Sequence, residues 1–182
     1  EPTGQLTVTA PVLFGHMYVS PAIVRFLKRY DKMRCSVLLH DRPVNLLEEG
    51  IDAGIRISAL EDSSLVAQQL GSIRRVVVAS PAYLKRRGTP RHPHDLQAHD
   101  ALMLGDTGGQ TRGWSFVVDG ELRSIRPQGR FDCNDGAVLH EWALAGRGLA
   151  WRSMWEVSGD LAAGRLRAVL QDYAAPPNGI YA

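Results

Sequence analysis

Two hydrophobic periodicities alternate through Ile57 and restrict the chain to a narrow group of folds. Leu6, Val8 and Ala10 alternate with Thr7 and Thr9, the period-two pattern of a half-buried strand, and Pro11 stops it before an aromatic-glycine corner at Phe14-Gly15. Ile23, Phe26, Leu27 and Tyr30 then recur at helical spacing, with Pro21 near the first turn, where its missing N–H costs little. Val37 to Leu39 predicts a second strand, Asn45 to Glu49 a short helix ended by Gly50, and Ala53 to Ile57 a further strand. Strand, helix, strand, helix, strand in such short pieces needs parallel pairing through helical crossovers, and so an α/β lobe reaching to about Ser72.

A second lobe begins with Val76 to Ala79, a continuous apolar run suited to a central strand. Ser80-Pro81 supplies the cap and first-turn proline of a helix ending at Gly88. A surface stretch rich in Pro, His and Gly follows. Trp114 to Val118 and Glu121 to Ile125 flank Asp119-Gly120, which suits a type I′ hairpin. Phe131 to Cys133 predicts a strand and Asn134 or Asp135 a helix cap. Val138, Leu139, Trp142 and Ala143 form the inner face of a helix closing at Gly146, and Leu149 to Trp151 and Leu166 to Leu170 are strands. Ile180 to Ala182 begins another strand, expected to return to the first lobe. The domain reading is therefore lobe I from 1–72 plus 175–182 and lobe II from 73–174.

Bulk properties exclude several roles. The formal net charge of +2 over 182 residues is too small for phosphate neutralisation by this segment. The basic stretch Lys85, Arg86, Arg87, Arg91, His92 and His94 has no interleaved aromatics, and is read as a solvated surface. Cys35 and Cys133 lie far apart in no metal or disulfide pattern, as expected of reduced thiols in a cytosol. Neither a basic-then-apolar leader nor a bilayer-length apolar run is present.

Four blocks resemble one family in order and separation: Gly4-Gln-Leu-Thr-Val-Thr-Ala-Pro-Val-Leu-Phe-Gly15, Asn45-Leu-Leu-Glu-Glu-Gly-Ile-Asp-Ala-Gly-Ile-Arg-Ile57, Ser64-Leu-Val-Ala through Ala79-Ser-Pro-Ala-Tyr-Leu84, and Asp160-Leu-Ala-Ala-Gly-Arg-Leu166. Together they are similar to the effector-binding domain of LysR-type transcriptional regulators. The resemblance implies a type II periplasmic-binding-protein-like fold, two Rossmann-like lobes joined by two crossover strands with an effector cleft between them. It implies a homo-oligomer, with the helix near Ile23 to Tyr30 set against that near Val138 to Ala145. It also implies DNA contact only through an N-terminal winged helix-turn-helix that these residues do not include. No cofactor is implied. The alternatives sharing this architecture are a periplasmic solute-binding protein and a small bilobal α/β enzyme.

In open α/β sheets, ligands bind beyond the carboxyl ends of strands, where helix starts present free N–H groups. That rule selects Pro11, Val12, Phe14, Gly15 and His16 in the first lobe and Asn134, Asp135 and Gly136 in the second as a seat for a carboxylate or phosphate. Asp41, Arg42, Arg56, Ser58, Trp151 and Arg152 follow or end strands and are further candidates. Arginine forks suit a carboxylate, while Phe14 and Trp151 offer flat walls, so the expected effector is small, anionic and aromatic in character. The competing reading of Arg56 is a structural pair with Asp41 or Asp52, and of Phe14 and Trp151, simple core packing. His40 beside Asp41 lacks any nucleophile set by a recognisable motif, so its expected part is orientation within the site or core satisfaction, not catalysis. His92 and His94 have no acidic or thiolate partner at metal spacing, and Gly105, Gly108 and Gly109 precede no Gly-Lys-Ser/Thr, so neither a metal site nor a phosphate loop is read there.

Overall fold

A computed structural model describes residues 2–42, 44–57, 65–105 and 113–182. The chain divides into two compact units, one of 1–72 with 178–182, the other of 73–177.

In the first unit, β1 (Gly4–Ala10) runs parallel to β2 (Met33–Leu39) in full register, Gly4 opposite Met33 and Ala10 opposite Leu39. β3 (Ala53–Gly54) lies parallel on its other side. The crossover from β1 to β2 is one continuous helix. It opens as α1 (Val12–Phe14), widens to a π-helical segment (Gly15–Val19), and continues as α2 (Ser20–Arg29). The Phe14-Gly15 corner expected before the helix is therefore inside it. Gly15 is there because the helix lies directly on β2: a Cβ would stand 2.3 Å from Leu39 Cδ2. The wide turn also ends beside Pro21, whose missing N–H an unbroken α-helix would accommodate poorly. Val8, Ala10 and Val19 form the buried centre, with Leu6, Phe14, Ile23 and Ile55 packed around them.

Asn45 to Glu49 makes turns rather than the short helix expected. Asn45 Oδ1 accepts from the N–H groups of Leu47 and Glu48, and Ile51 N–H closes onto Leu46 O. One turn fixes too many dihedrals per hydrogen bond to propagate as a helix. The strand expected from Ala53 to Ile57 divides at Ile55, whose N–H reaches Thr9 O. β4 (Arg56–Ile57) beyond it pairs antiparallel with β13 (Asn178–Tyr181). β13 stands between β4 and β5 (Gln69–Ile73), and Gln68 and Ala182 exchange both backbone hydrogen bonds at 2.8 and 2.9 Å.

The second unit is a five-stranded mixed sheet in the order β10-β7-β11-β6-β12. β7 (Ala101–Leu104), β10 (Phe131–Cys133) and β11 (Leu149–Ser153) are parallel, while β6 (Arg75–Ala79) is antiparallel to both β11 and β12 (Arg167–Val169). Val76 and Val78 face one core, and Val77 and Ala79 the other, so the apolar run is buried on both sides. On the first face lie α4 (Gly136–Leu144) and α5 (Met154–Ala162), supplying Leu139, Ala143 and Val157. On the second lie α3 (Pro81–Arg87) and the hairpin of β8 (Trp114–Val118) and β9 (Glu121–Ile125), supplying Tyr83, Leu84, Trp114, Phe116 and Val118.

Local chemistry explains most ends. Ser80 Oγ accepts from Tyr83 N–H at the start of α3, and Gly88 ends it at φ +84°. Asp119 and Gly120 take φ +54° and +78°, the paired positive values of a type I′ turn. Residues 93–104 correct the expected surface stretch. A 3-10 helix (Pro93–Ala98) buries Pro93 and Leu96, and β7 behind it is a central strand. Nor is the basic segment simply solvated: Arg86 lies over the Tyr83 ring and donates to Gly146 O, and Arg87 donates to Ala98 O, both at 2.9 Å.

Glycine substitutions separate space from conformation. A Cβ at Gly129 would fall 1.7 Å from Ala101 O, backbone that cannot yield, so Gly129→Ala is expected to lower stability by more than about 2 kcal/mol. Gly159, within α5, has nothing within 4 Å, and Gly159→Ala should raise stability by roughly 0.5–1 kcal/mol through helix propensity. Urea unfolding of both variants checks the contrast.

Candidate functional site

In the first unit the strand ends carry one loosely held cation and several committed groups. Pro11 O accepts from Gly15 N–H, and Asp41 Oδ1 accepts from Val12 N–H at 3.0 Å. The aspartate thus occupies the helix start that a ligand anion was expected to use. The Phe14 ring lies tilted at 34° to that of Tyr18, centroids 4.9 Å apart, and packs against the unit core. His40 extends the β1–β2 ladder by donating its N–H to Ala10 O. Asp52 accepts from Thr7 N–H at 2.7 Å, and Arg42 pairs with Glu49 at 3.4 Å.

Arg56 differs from these. Its guanidinium is half-buried, donating to Ile55 O at 2.7 Å and, at 3.4 Å, to Oγ1 of Thr9, itself fully buried at the end of β1. Burial holds its pKa below the usual arginine value, with Asp41 and Glu49 opposing through space. Among the described residues, neither Asp41 nor Asp52 comes within ion-pair distance of it, so the structural pair weighed above is not formed there. Ser58 lies outside the described residues.

In the second unit, Asp135 Oδ1 accepts from the N–H groups of Ala137 and Val138 at 2.7 and 3.4 Å. A carboxylate already fills that helix start, so a second anion would meet like charge there rather than unpaired donors. Asn134 beside it is exposed. Gly136 leaves room for Arg152: a Cβ would stand 2.3 Å from Nη2. Arg152 is not an open charge reader, since its side chain is 5% exposed and bonds Glu156, 8% exposed, at 2.5 Å. Its Nε has no hydrogen-bond partner among the described residues. Trp151 is half-buried against the core, with the Arg75 guanidinium 4.7 Å from its ring centroid.

Thr9, Arg75 and Glu156 stand at these strand ends without having been site candidates from sequence. Thr9 could have been noticed as the polar residue inside an otherwise apolar strand end. Glu156 stands four residues after Arg152, but the helix that begins between them was not foreseen. A second clamp joins α4 to α5, where His140 Nε2 and Arg165 Nε bond Asp160 at 2.6 and 2.5 Å. Burial works to raise the Asp160 pKa, yet these two partners hold it below the usual range. His92 Nδ1 accepts from His94 N–H, and Asp95 accepts from the N–H groups of Arg91 and His92, so this histidine caps its own 3-10 helix. Among the described residues, no group of three His, Cys, Asp or Glu stands together for a metal, and no helix is long and apolar enough to cross a membrane.

A family model described as the LysR substrate binding domain matches residues 1–182. The chain belongs to the LysR substrate-binding domain family. It is 33% identical over 177 residues to the HTH-type transcriptional regulator DmlR of Escherichia coli, and 29% identical over 178 residues to the HTH-type transcriptional activator TtdR of the same species. These alignments cover 97% and 98% of this chain but 58% and 57% of the relatives, so the chain spans a little over half their length. Among solved structures, the regulatory domain of CrgA from Neisseria meningitidis superposes with a TM-score of 0.83 at 27% identity, covering 99% of this chain and 88% of that one. The regulatory domain of AphB from Vibrio vulnificus gives 0.84 at 25% identity, covering 98% and 89%. The LysR domain thus has the type II periplasmic-binding-protein-like α/β fold of these regulatory domains, and its relatives are transcriptional regulators rather than enzymes.

Within this LysR domain the Arg152–Glu156 pair is expected to be structural. Glu156→Ala, leaving a buried guanidinium uncompensated, should cost roughly 3–5 kcal/mol, while an apolar pair (R152M with E156L) should recover most of that loss. Urea melts of the wild type and the two variants check it, and equal stability of all three would reject the assignment.

Proposed function

We propose that this chain senses a small anionic effector for a LysR-type transcriptional regulator, and that Arg56 reads the effector's charge. One observation carries the reading: a half-buried guanidinium stands at a strand end with no carboxylate on it among the described residues. A partly desolvated cation without a counter-charge is costly, and a ligand carboxylate supplies both the charge and the fork-shaped acceptors it lacks. In the second unit, Asn134, Gly136 and Trp151 offer shape rather than charge, and Asp135 keeps its helix start closed to an anion. Arg152 contributes by positioning, since Glu156 already uses its charge.

Effector binding then has to favour one arrangement of the regulator over another, because equal affinity for two states shifts neither. The protein acts in the cytoplasm as a homo-oligomer, with DNA held by a helix-turn-helix segment outside these residues. Met17, Tyr18 and Val24 leave apolar surface exposed along the helix proposed for self-association.

A thermal-shift screen of small organic acids should find a stabilising compound, since a ligand that binds only the folded chain raises its Tm by mass action. Against that compound, Arg56→Gln should raise Kd by about tenfold or more. Equal affinity of Arg56→Gln and wild type in calorimetry would remove Arg56 from the site. Sedimentation should show self-association that Val24→Glu weakens.

A further inference from the structure

The parallel strands of the second unit have a second set of ends. Asp135 and Arg152 lie toward their carboxyl ends, whereas an open groove lies before their first residues, Ala101, Phe131 and Leu149. It is lined by Arg87, Gln97, His99, Asp100, Gln128 and Arg130. One edge is rigid, because Gly129 presses on Ala101 and Gln128 O accepts from Ala101 N–H at 3.0 Å.

Proton positions in the groove follow from one phenol. Tyr83 is fully buried, and among the described residues its oxygen meets Asp100 N–H, which can only donate, at 2.9 Å and His99 Nδ1, which can accept. The phenol proton must therefore go to His99 Nδ1, 3.1 Å away. Burial first, then the Arg87 charge, holds the His99 pKa below its ordinary value against Asp95 and Asp100, which keeps the ring neutral at pH 7.5. Neutral imidazole with an accepting Nδ1 carries its one proton on Nε2. His99 is only 9% exposed, lines the groove, and its Nε2–H has no partner among the described residues. Among the described residues, Arg87 and Arg130 form no ion pair. In the groove that donor stands with two arginines and one carboxylate, Asp100.

We propose that this groove is a second binding site, for a small oxyanion that also carries an O–H: the anionic oxygens take His99 Nε2–H, Arg87 and Arg130, and the O–H donates to Asp100. Hydrogen phosphate and small hydroxy acids share this chemistry. A bare oxyanion lacks the donor and leaves its charge facing Asp100.

Long-range 1H–15N NMR of His99 at pH 7.5 tests it, titrating the 182-residue chain with inorganic phosphate, lactate or sulfate at an ionic strength fixed with chloride. Phosphate or lactate should shift His99 Nε2 saturably, the tighter of the two naming the source, and sulfate should bind about tenfold more weakly. Arg130→Gln, an exposed position that should leave Tm unchanged, should weaken the tighter ligand about tenfold. His99 shifts no larger than those from chloride, sulfate binding as tightly as the better ligand, or an unchanged titration in Arg130→Gln would each overturn the proposal.

Discussion

The pairing of the last strand with residues far upstream is the constraint on which the architecture depends. β13 stands between β4 and β5, so residues 178–182 belong to the first unit. The chain consequently leaves that unit once, at Ser72–Ile73, and returns once, at Pro177–Asn178. A four-residue strand can do this because it is paired on both sides, and neither β4, with two residues, nor the end of the chain would hold place alone.

Within that frame, burial decides what each charge can do. Arg56 and Arg152 have the same chemistry and both lie in strands, yet one has no carboxylate on it among the described residues and the other is committed to a carboxylate that solvent barely reaches. The same holds for the helix starts. Asp41 and Asp135 each place a carboxylate oxygen on N–H groups that would otherwise draw an anion. The helix dipoles are thereby satisfied internally, and in the function proposed above anion recognition in the first unit falls to a side chain. That substitution favours selectivity: a guanidinium fork discriminates among acceptor geometries, whereas a bare helix start responds chiefly to charge.

What could be read from sequence was whatever local chemistry alone dictates. Ser80-Pro81, Asp119-Gly120 and the alternation from Leu6 to Ala10 each specify a cap, a turn or a strand within a few residues, and the structure has each of them. The α/β class followed from their order. Failures came where tertiary packing overrides the local signal. Ala101 to Leu104 is a four-residue apolar run too short to separate strand from helix, and the Pro-His-rich stretch before it masked the burial of Leu96. α5 was hidden by Ser158-Gly159, which interrupts the helical spacing of Met154, Val157 and Leu161. At the candidate site the residue types were visible, but not which arginine had already found a carboxylate. That depends on α5, whose start places Glu156 against Arg152.

Gly136 shows how close packing can imitate recognition. Its place at a helix start beside a strand end marks a glycine that lets a ligand approach backbone, and the space it leaves is real. The occupant is Arg152, a side chain of the same unit. A guanidinium inserted against the first residue of α4 and bonded to the first turn of α5 ties both helices to the end of β11. Rearranging either helix start would therefore require the buried pair to move as well, which is costly in a medium that solvates charge poorly. The start of α4, the first turn of α5 and the end of β11 are thus expected to move together.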